Sequence, residues 1–476
     1  MALKVYNIYG ITSIVAICGI LLGMESSSWT TLLSSPQFKS YFGEISSWEN
    51  AMVMSSNGIG AVVGCIICGV FCDALGCIRS FQVAGVCWIG GSICSFFSPY
   101  IYLIVLGRLF KGMSMGFLSA VIPIYLSETI PSEKKGSSIS FVQLNSAIAG
   151  LLMYFVTYAF QLLIKDEYSF KYAWGIEALP AIALLILSFF LPESPKWLAS
   201  QSKWTQAAKN LVKIKRSQNR LEAAKDHKRT HDDDRDFVLK AYTAGPEIRT
   251  CTYDKVFGKK YWKHTLIGTS SQFFVQLSSV QILKNHFLFI CDICGIDGDN
   301  RAYYSSSHYM VEVLFTLIPL FLLDSARRKD CLTFGMFILG GSYLAVGVLV
   351  LVYSEKAVHG DINSPFQFEM FEEPASGVLA IFLFISAVYS STVLSTSWLY
   401  AGEIFPGPAR AKGTSICMGA SWVVNTASAL VLPSMLRHMG PWAFMMLSLC
   451  CFCGTIVLVT VPETRNLSEQ EIESIF

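Results

Sequence analysis

The chain has 476 residues, of which 53% are hydrophobic and only 15% charged, a balance that a water-soluble protein of this length does not need. Its 36 basic residues nearly cancel 34 acidic ones, leaving a net charge of +2, so no basic surface for nucleic acid is indicated. Lipid is the expected solvent for most of the chain. A helix crossing a hydrocarbon core of roughly 30 Å needs about 20 apolar residues. Stretches of that kind run near 8–24, 50–72, 81–98, 100–126, 137–160 and 172–191. After a polar gap, six more run near 264–290, 304–323, 331–353, 376–401, 412–436 and 440–461. The pattern predicts an all-α membrane protein with twelve transmembrane helices in two six-helix bundles. The bundles are expected over 1–191 and 264–461, joined by a cytoplasmic linker over 192–263 and followed by a short cytoplasmic tail over 462–476.

The first apolar stretch lacks a basic leader and a small-residue cleavage site, so no cleavable signal peptide is expected. Seventeen of the 36 basic residues fall between Lys196 and Lys263, and most of the others sit in loops on the same side, which predicts both termini in the cytoplasm. Cysteines such as Cys65, Cys68 and Cys450 lie in apolar segments, where small hydrophobic filling is the usual role. Cys291 and Cys294 could bridge, or supply half of a metal site, in an outer loop. The sequon at Asn466 falls in the expected cytoplasmic tail and should be silent. The sequence contains no nucleotide-binding loop, metal-ligand cluster or nucleophile triad, so an enzyme, a cofactor and a metal are not expected, and any pumping must draw on an ion gradient.

Two segments recur at equivalent places in the two halves. Glu128-Thr-Ile-Pro131, with Lys135 seven residues after the acid, matches Glu403-Ile-Phe-Pro406, with Arg410 at the same offset. Asp73 through Arg79, between the second and third spans, matches Asp324 through Arg328 and Lys329, between the eighth and ninth. Matched segments of this kind mark transporters built from repeated bundles. Carboxylates and cations at the ends of facing helices can pair in one state and part in another, so these residues are expected to form a cytoplasmic latch.

The same residues carry a resemblance to the sugar porters of the major facilitator superfamily, in particular the fungal sugar and polyol branch. Gly107-Arg108, followed by Gly112, Gly116, Pro123, Tyr125, Glu128 and Pro131, is similar to the family's fourth-span signature. Pro192-Glu193-Ser194-Pro195 resembles the element after the sixth span, and Pro462-Glu463-Thr464-Arg465 resembles its counterpart after the twelfth. Trp398-Leu-Tyr400-Ala-Gly-Glu403 resembles the fungal tenth-span signature. The resemblance implies the major facilitator fold, with the 192–263 insert forming short cytoplasmic helices and with Glu193 and Glu463 joining the latch.

It also implies where the solute sits. Amides and hydroxyls match the hydroxyls of a neutral polyol, and indole faces stack on its ring. Carried over by position, that site falls on Gln143, Gln276, Gln281, Trp398, Trp422 and Asn425. The departures concentrate there too: Tyr154 and Val275 replace glutamines, Lys284-Asn285-His286 replaces an aromatic gate, Leu394-Ser395 replaces Gly-Pro, and Glu312 replaces an asparagine. Tyr154, Asn285 and Glu312 are therefore candidate solute contacts as well. Glu25, in Gly23-Met24-Glu25, stands where relatives have an acid paired with the arginine matching Arg108, and this pair is the candidate proton-coupling site.

Glu312 lies about eight residues inside the eighth span, on the order of 12 Å deep, too far for a short side chain to reach water. Lys284 in the seventh span is its expected partner, acting as an outer gate or as a site that selects a charged substrate. The expected activity is secondary transport of a sugar, polyol or related small polar metabolite by a monomer in the plasma membrane, as uniporter or proton symporter. The alternatives are a carrier of a charged metabolite, carboxylate or zwitterion, and a nutrient sensor of the same architecture, against which the short tail after Val461 argues.

Overall fold

The computed structural model describes residues 4–33, 36–43, 46–164, 168–218, 251–287, 290–291, 294, 296, 300–356, 368–370, 372–467 and 469–476. Span 1 is Ile8–Leu33, span 2 Ser47–Leu75, span 3 Cys77–Phe96, span 4 Ile101–Thr129 and span 5 Lys135–Leu163. Span 6 is broken at Glu177 into Ser169–Ile176 and Ala178–Ser188. Short helices Pro195–Ser200 and Trp204–Gln218 follow, and Tyr253–Val256 precedes the second half. Span 7 is split into Trp262–Leu277 and Val280–Asn285. Span 8 is Asn300–Leu322, span 9 Arg328–Tyr353, span 11 Gly407–Met439 and span 12 Pro441–Thr460. Span 10 runs from Glu372–Val388 through a five-residue π-turn, Tyr389–Val393, into Leu394–Glu403. Among the described residues eleven helical runs are long and apolar enough to cross a membrane, and the seventh crossing is made by the two shorter pieces.

The strictly all-α expectation needs one small correction. Ser354–Lys356 pairs antiparallel with Phe368–Met370 in the connection between spans 9 and 10, an extramembrane position where backbone groups can pair outside a helix.

The buried apolar residues fall into two large cores. One gathers Ile11, Phe81, Trp88, Leu118 and Tyr125 from the first half, and the other gathers Met336, Tyr343, Tyr389, Phe405 and Phe444 from the second. Helices meet closely where glycine permits it. A Cβ at Gly23 of span 1 would stand 1.9 Å from the Ser146 carbonyl oxygen of span 5, so those backbones approach as only small residues allow. Gly76 is the single residue between spans 2 and 3, with φ of +92°, a region that strains any side chain. Span 2 starts on a capping box: Ser46 accepts from the Glu49 amide, and the Glu49 carboxylate accepts from the Ser46 amide.

The break in span 7 is a tertiary product. Ser279 holds φ of +55°, an uncommon conformation for a residue with a side chain. The freed carbonyl of Ser278 is taken by the Tyr343 hydroxyl of span 9 at 2.9 Å. In the π-turn of span 10, the hydroxyls of Ser390 and Thr392 donate back to the carbonyls of Ser386 and Val388. Both irregular stretches border the same cavity.

Candidate functional site

A cavity of about 180 Å³ lies between the two halves. Span 5 supplies Gln143, the first piece of span 7 supplies Gln276, and the second supplies Gln281 and Lys284. Span 8 adds Tyr309 and Glu312, span 10 adds Tyr389 and Trp398, and span 11 adds Trp422 and Asn425. Seven of the expected contacts, Gln143, Gln276, Gln281, Glu312, Trp398, Trp422 and Asn425, thus line one space. The Asn425 amide donates to the Gln276 side-chain oxygen at 3.5 Å, and Gln281 hydrogen-bonds the Tyr389 hydroxyl. The Trp422 indole N–H donates to the Ser119 hydroxyl at 3.0 Å, joining the halves at the cavity wall. Tyr154 is not on the wall: it packs behind Tyr309, ring centroids 5.4 Å apart, because span 5 turns that residue toward span 8. The side chain of Asn285 lies outside the described residues. Asn57, Tyr309 and Tyr389 are wall residues that the sequence reading missed. Asn57 had a signal, a polar side chain inside an apolar span.

Lys284 and Glu312 meet as expected, Nζ to Oε2 at 3.0 Å, with side chains 6% and 13% exposed. The ammonium also sits 5.3 Å from the centre of the Tyr389 ring. Cys291 and Cys294 are both free thiols. No cluster of three metal-ligating side chains occurs among the described residues.

On the other flank, Glu25 and Arg108 border the cavity and pair at 3.3 Å. Behind them, Lys111 lies 3.2 Å from the second Glu25 oxygen and donates to Glu177, at the break in span 6. All four side chains are buried, and the quartet ties spans 1, 4 and 6 together. Lys111 is a base in the middle of an apolar span, a position that calls for a buried acid as partner. Glu177 was overlooked, although a lone carboxylate in an apolar stretch is itself a functional signal.

At the face that carries both chain ends, the repeated motifs form two matching sets. Glu193 accepts from the amides of Cys77 and Ile78 at the start of span 3, and Glu463 accepts from those of Arg328 and Lys329 at the start of span 9. Glu128 accepts from the Ser194 hydroxyl at 2.5 Å, and Glu403 from the Thr464 hydroxyl at 2.8 Å. Arg328, fully buried, pairs with Glu403 at 3.4 Å and also donates to two carbonyls. The position matching Arg328 is held by Cys77, which carries no guanidinium, and Arg79, two residues further on, is exposed. Contacts also cross between the halves here. Lys412 donates to Asp73, Asp324 accepts from the amides of Gly136 and Ser137, and Tyr253 donates to the Ile66 carbonyl. Arg410 is buried on span 11, and Lys135 opens span 5.

Glu193 lies beyond span 6, and burial pushes its carboxyl from 4.5 up to about 7, with the Ser194, Ile78 and Cys77 amides opposing the rise. A raised pKa means the fold favours the protonated form. The associated stability is full below about pH 4.5 and is lost as pH rises through about 7, up to about 3 kcal/mol over the whole titration. Thermal unfolding of detergent-solubilised protein should therefore show wild type losing more stability between pH 5.5 and 8 than Glu193→Gln. Equal slopes would rule out this carboxyl as the source.

Two helical bundles around a polar central cavity, with paired motifs closing one face, define a secondary carrier of the major facilitator class. The sequence profile described as "Sugar (and other) transporter" matches residues 11–476. The chain belongs to this family, and it is a multi-pass membrane transporter, not an enzyme. It is 27% identical to a probable metabolite transport protein of Saccharomyces cerevisiae, over 99% of this chain and 87% of that protein. It is 26% identical to a high-affinity glucose transporter of Kluyveromyces lactis (99% and 85% covered) and 25% identical to a galactose-proton symporter of Escherichia coli (96% and 92%). Among solved structures, the proton:xylose symporter XylE bound to 6-bromo-6-deoxy-D-glucose superposes with a TM-score of 0.81 at 19% identity, covering 98% of this chain and 99% of that one. The inward-open conformation of XylE from E. coli gives 0.68 at 19% identity, covering 99% and 100%.

Proposed function

We propose that this protein carries a neutral sugar or polyol across the plasma membrane by alternating access, as a monomer with both termini in the cytoplasm. One observation carries the reading: amides from both bundles and an indole converge on one cavity, Gln143 from the first half and Gln276, Gln281, Asn425 and Trp398 from the second. Such groups exchange hydrogen bonds with hydroxyls without requiring a counter-charge. The relatives named for glucose and galactose support the same solute class. Contacts such as Asp73 with Lys412 hold the terminal face shut, the arrangement expected of a carrier not open to the cytoplasm. Uptake of labelled glucose, galactose, xylose, mannitol and small carboxylates into a carrier-deficient cell, with and without an uncoupler, tests the reading. Uptake confined to the carboxylates would overturn it.

Glu25, ionisable and on the cavity wall, is the group we assign to the proton in symport, with Arg108 as its partner. Glu25→Gln cannot bind or release a proton, so accumulation against a gradient should vanish while solute exchange continues. Accumulation that survives in this variant would place coupling elsewhere.

A further inference from the structure

Lys284 and Glu312 belong to the same half of the protein, on spans 7 and 8, so their pairing does not latch one bundle to the other. Both line the central cavity, one turn from Gln281 and from Tyr309 respectively. Lys284 is 95% buried, and although Glu312 is within ion-pair distance, the ammonium N–H bonds have no well-angled acceptor among the described residues. A buried donor with unspent hydrogens, beside a carboxylate with spare lone pairs, is a site prepared for something that both donates and accepts.

We propose that the Lys284 and Glu312 pair is a specificity filter in the solute site: it grips adjacent hydroxyls of a neutral sugar or polyol and excludes sugar acids and amino sugars. This rests on the sugar-carrier reading above and adds what that reading leaves open, namely how charge on the solute is judged. One hydroxyl donates to the carboxylate while its neighbour accepts from the ammonium, giving two charge-assisted hydrogen bonds with the ion pair intact. A uronate meets an attractive ammonium and a repulsive carboxylate 3.0 Å apart. It gains little net field, loses its own hydration, and binds Lys284 only by displacing Glu312. A protonated amino sugar faces the mirror problem. The charges that seemed to invite a charged substrate therefore cancel each other.

The test compares wild type with Glu312→Gln, Lys284→Gln and the double variant, at measured surface abundance, using the best neutral solute of the panel with glucuronate and glucosamine as competitors. Wild-type uptake should be competed at least tenfold more weakly by either charged sugar than by the neutral one. Glu312→Gln frees a cation and should improve competition by glucuronate at least tenfold, while Lys284→Gln should do so for glucosamine. The double variant should keep more neutral uptake than either single and favour neither charged sugar. If the singles fail to reach the surface, the exchange Lys284→Glu with Glu312→Lys preserves the pair and should restore both abundance and exclusion. Wild type accepting glucuronate or glucosamine as readily as neutral sugar, or single variants with unchanged preference, would overturn the filter while leaving the sugar carrier standing. A wild type that moves no panel sugar would remove the carrier reading, and the filter with it.

Discussion

Replacing Lys111 by alanine is expected to cost about 3–5 kcal/mol, the range seen when one partner of a buried ion pair is removed and its counter-charge stays behind. Lys111 stands between Glu25 and Glu177, and the remaining cation, Arg108, contacts Glu25. Without the lysine, Glu177 becomes a buried carboxylate at the break in span 6, where water is scarce. Against a typical stability of roughly 5–15 kcal/mol, such a loss should show as a large fall in surface abundance and in the melting temperature of solubilised protein. The double variant Lys111→Ala with Glu177→Gln removes the orphaned charge and should recover most of the loss. If the double variant is no better than the single, the quartet is not held by charge pairing. The link to function lies in rigidity, because rocking of one bundle against the other requires spans 1, 4 and 6 to move as a unit.

Asp73→Asn or Lys412→Gln should lower uptake on the order of 5- to 150-fold, the span covered by a coupling of 1–3 kcal/mol between two states. This contact bridges span 2 and span 11 at the face we assign to the cytoplasm, and the centre of the Tyr253 ring lies 5.8 Å from the same ammonium. Breaking it favours the arrangement in which the terminal face is open. Cys251 reports that opening, because it is buried beside the contact and its amide donates to the Pro408 carbonyl at 3.1 Å. Thiol labelling assigned to Cys251, by subtraction of a Cys251→Ser control, should rise in both variants. Unchanged labelling together with normal uptake would show that the pair does not hold this face closed. Since both partners are largely buried, raising the salt concentration should not imitate the substitutions.

The twelve crossings were legible because apolar length is a property of the chain alone. So were the cavity residues on regular helices, Gln143, Gln276, Trp398 and Asn425, whose family positions map directly. Partners were harder to read. The repeat marked Asp73, and the family resemblance Glu193 and Glu463, as latch residues, yet two of these accept backbone amides at helix starts and the third pairs with a lysine 339 positions away. Sequence periodicity carries no information about such distant partners. The split of span 7 was invisible for the same reason, since it rests on Tyr343 of span 9 capturing the Ser278 carbonyl. Lys284 and Glu312 were the exception: intramembrane charges are costly enough that each one advertises a need for the other.

The π-turn in span 10 changes how that helix must be read. Tyr389 and Trp398 both reach the cavity, although nine residues at about 100° each would set them on opposite faces of an uninterrupted helix. The wide turn takes up roughly one residue's rotation, so the stretch before it and the stretch after it are out of phase. A helical wheel drawn through the whole span assigns one of the two aromatics to lipid, whichever is used as the origin. By the same geometry, loss of a single residue within 389–393 is a frame change this span can absorb, whereas the same deletion elsewhere in it would swing every residue beyond the cut by about 100°.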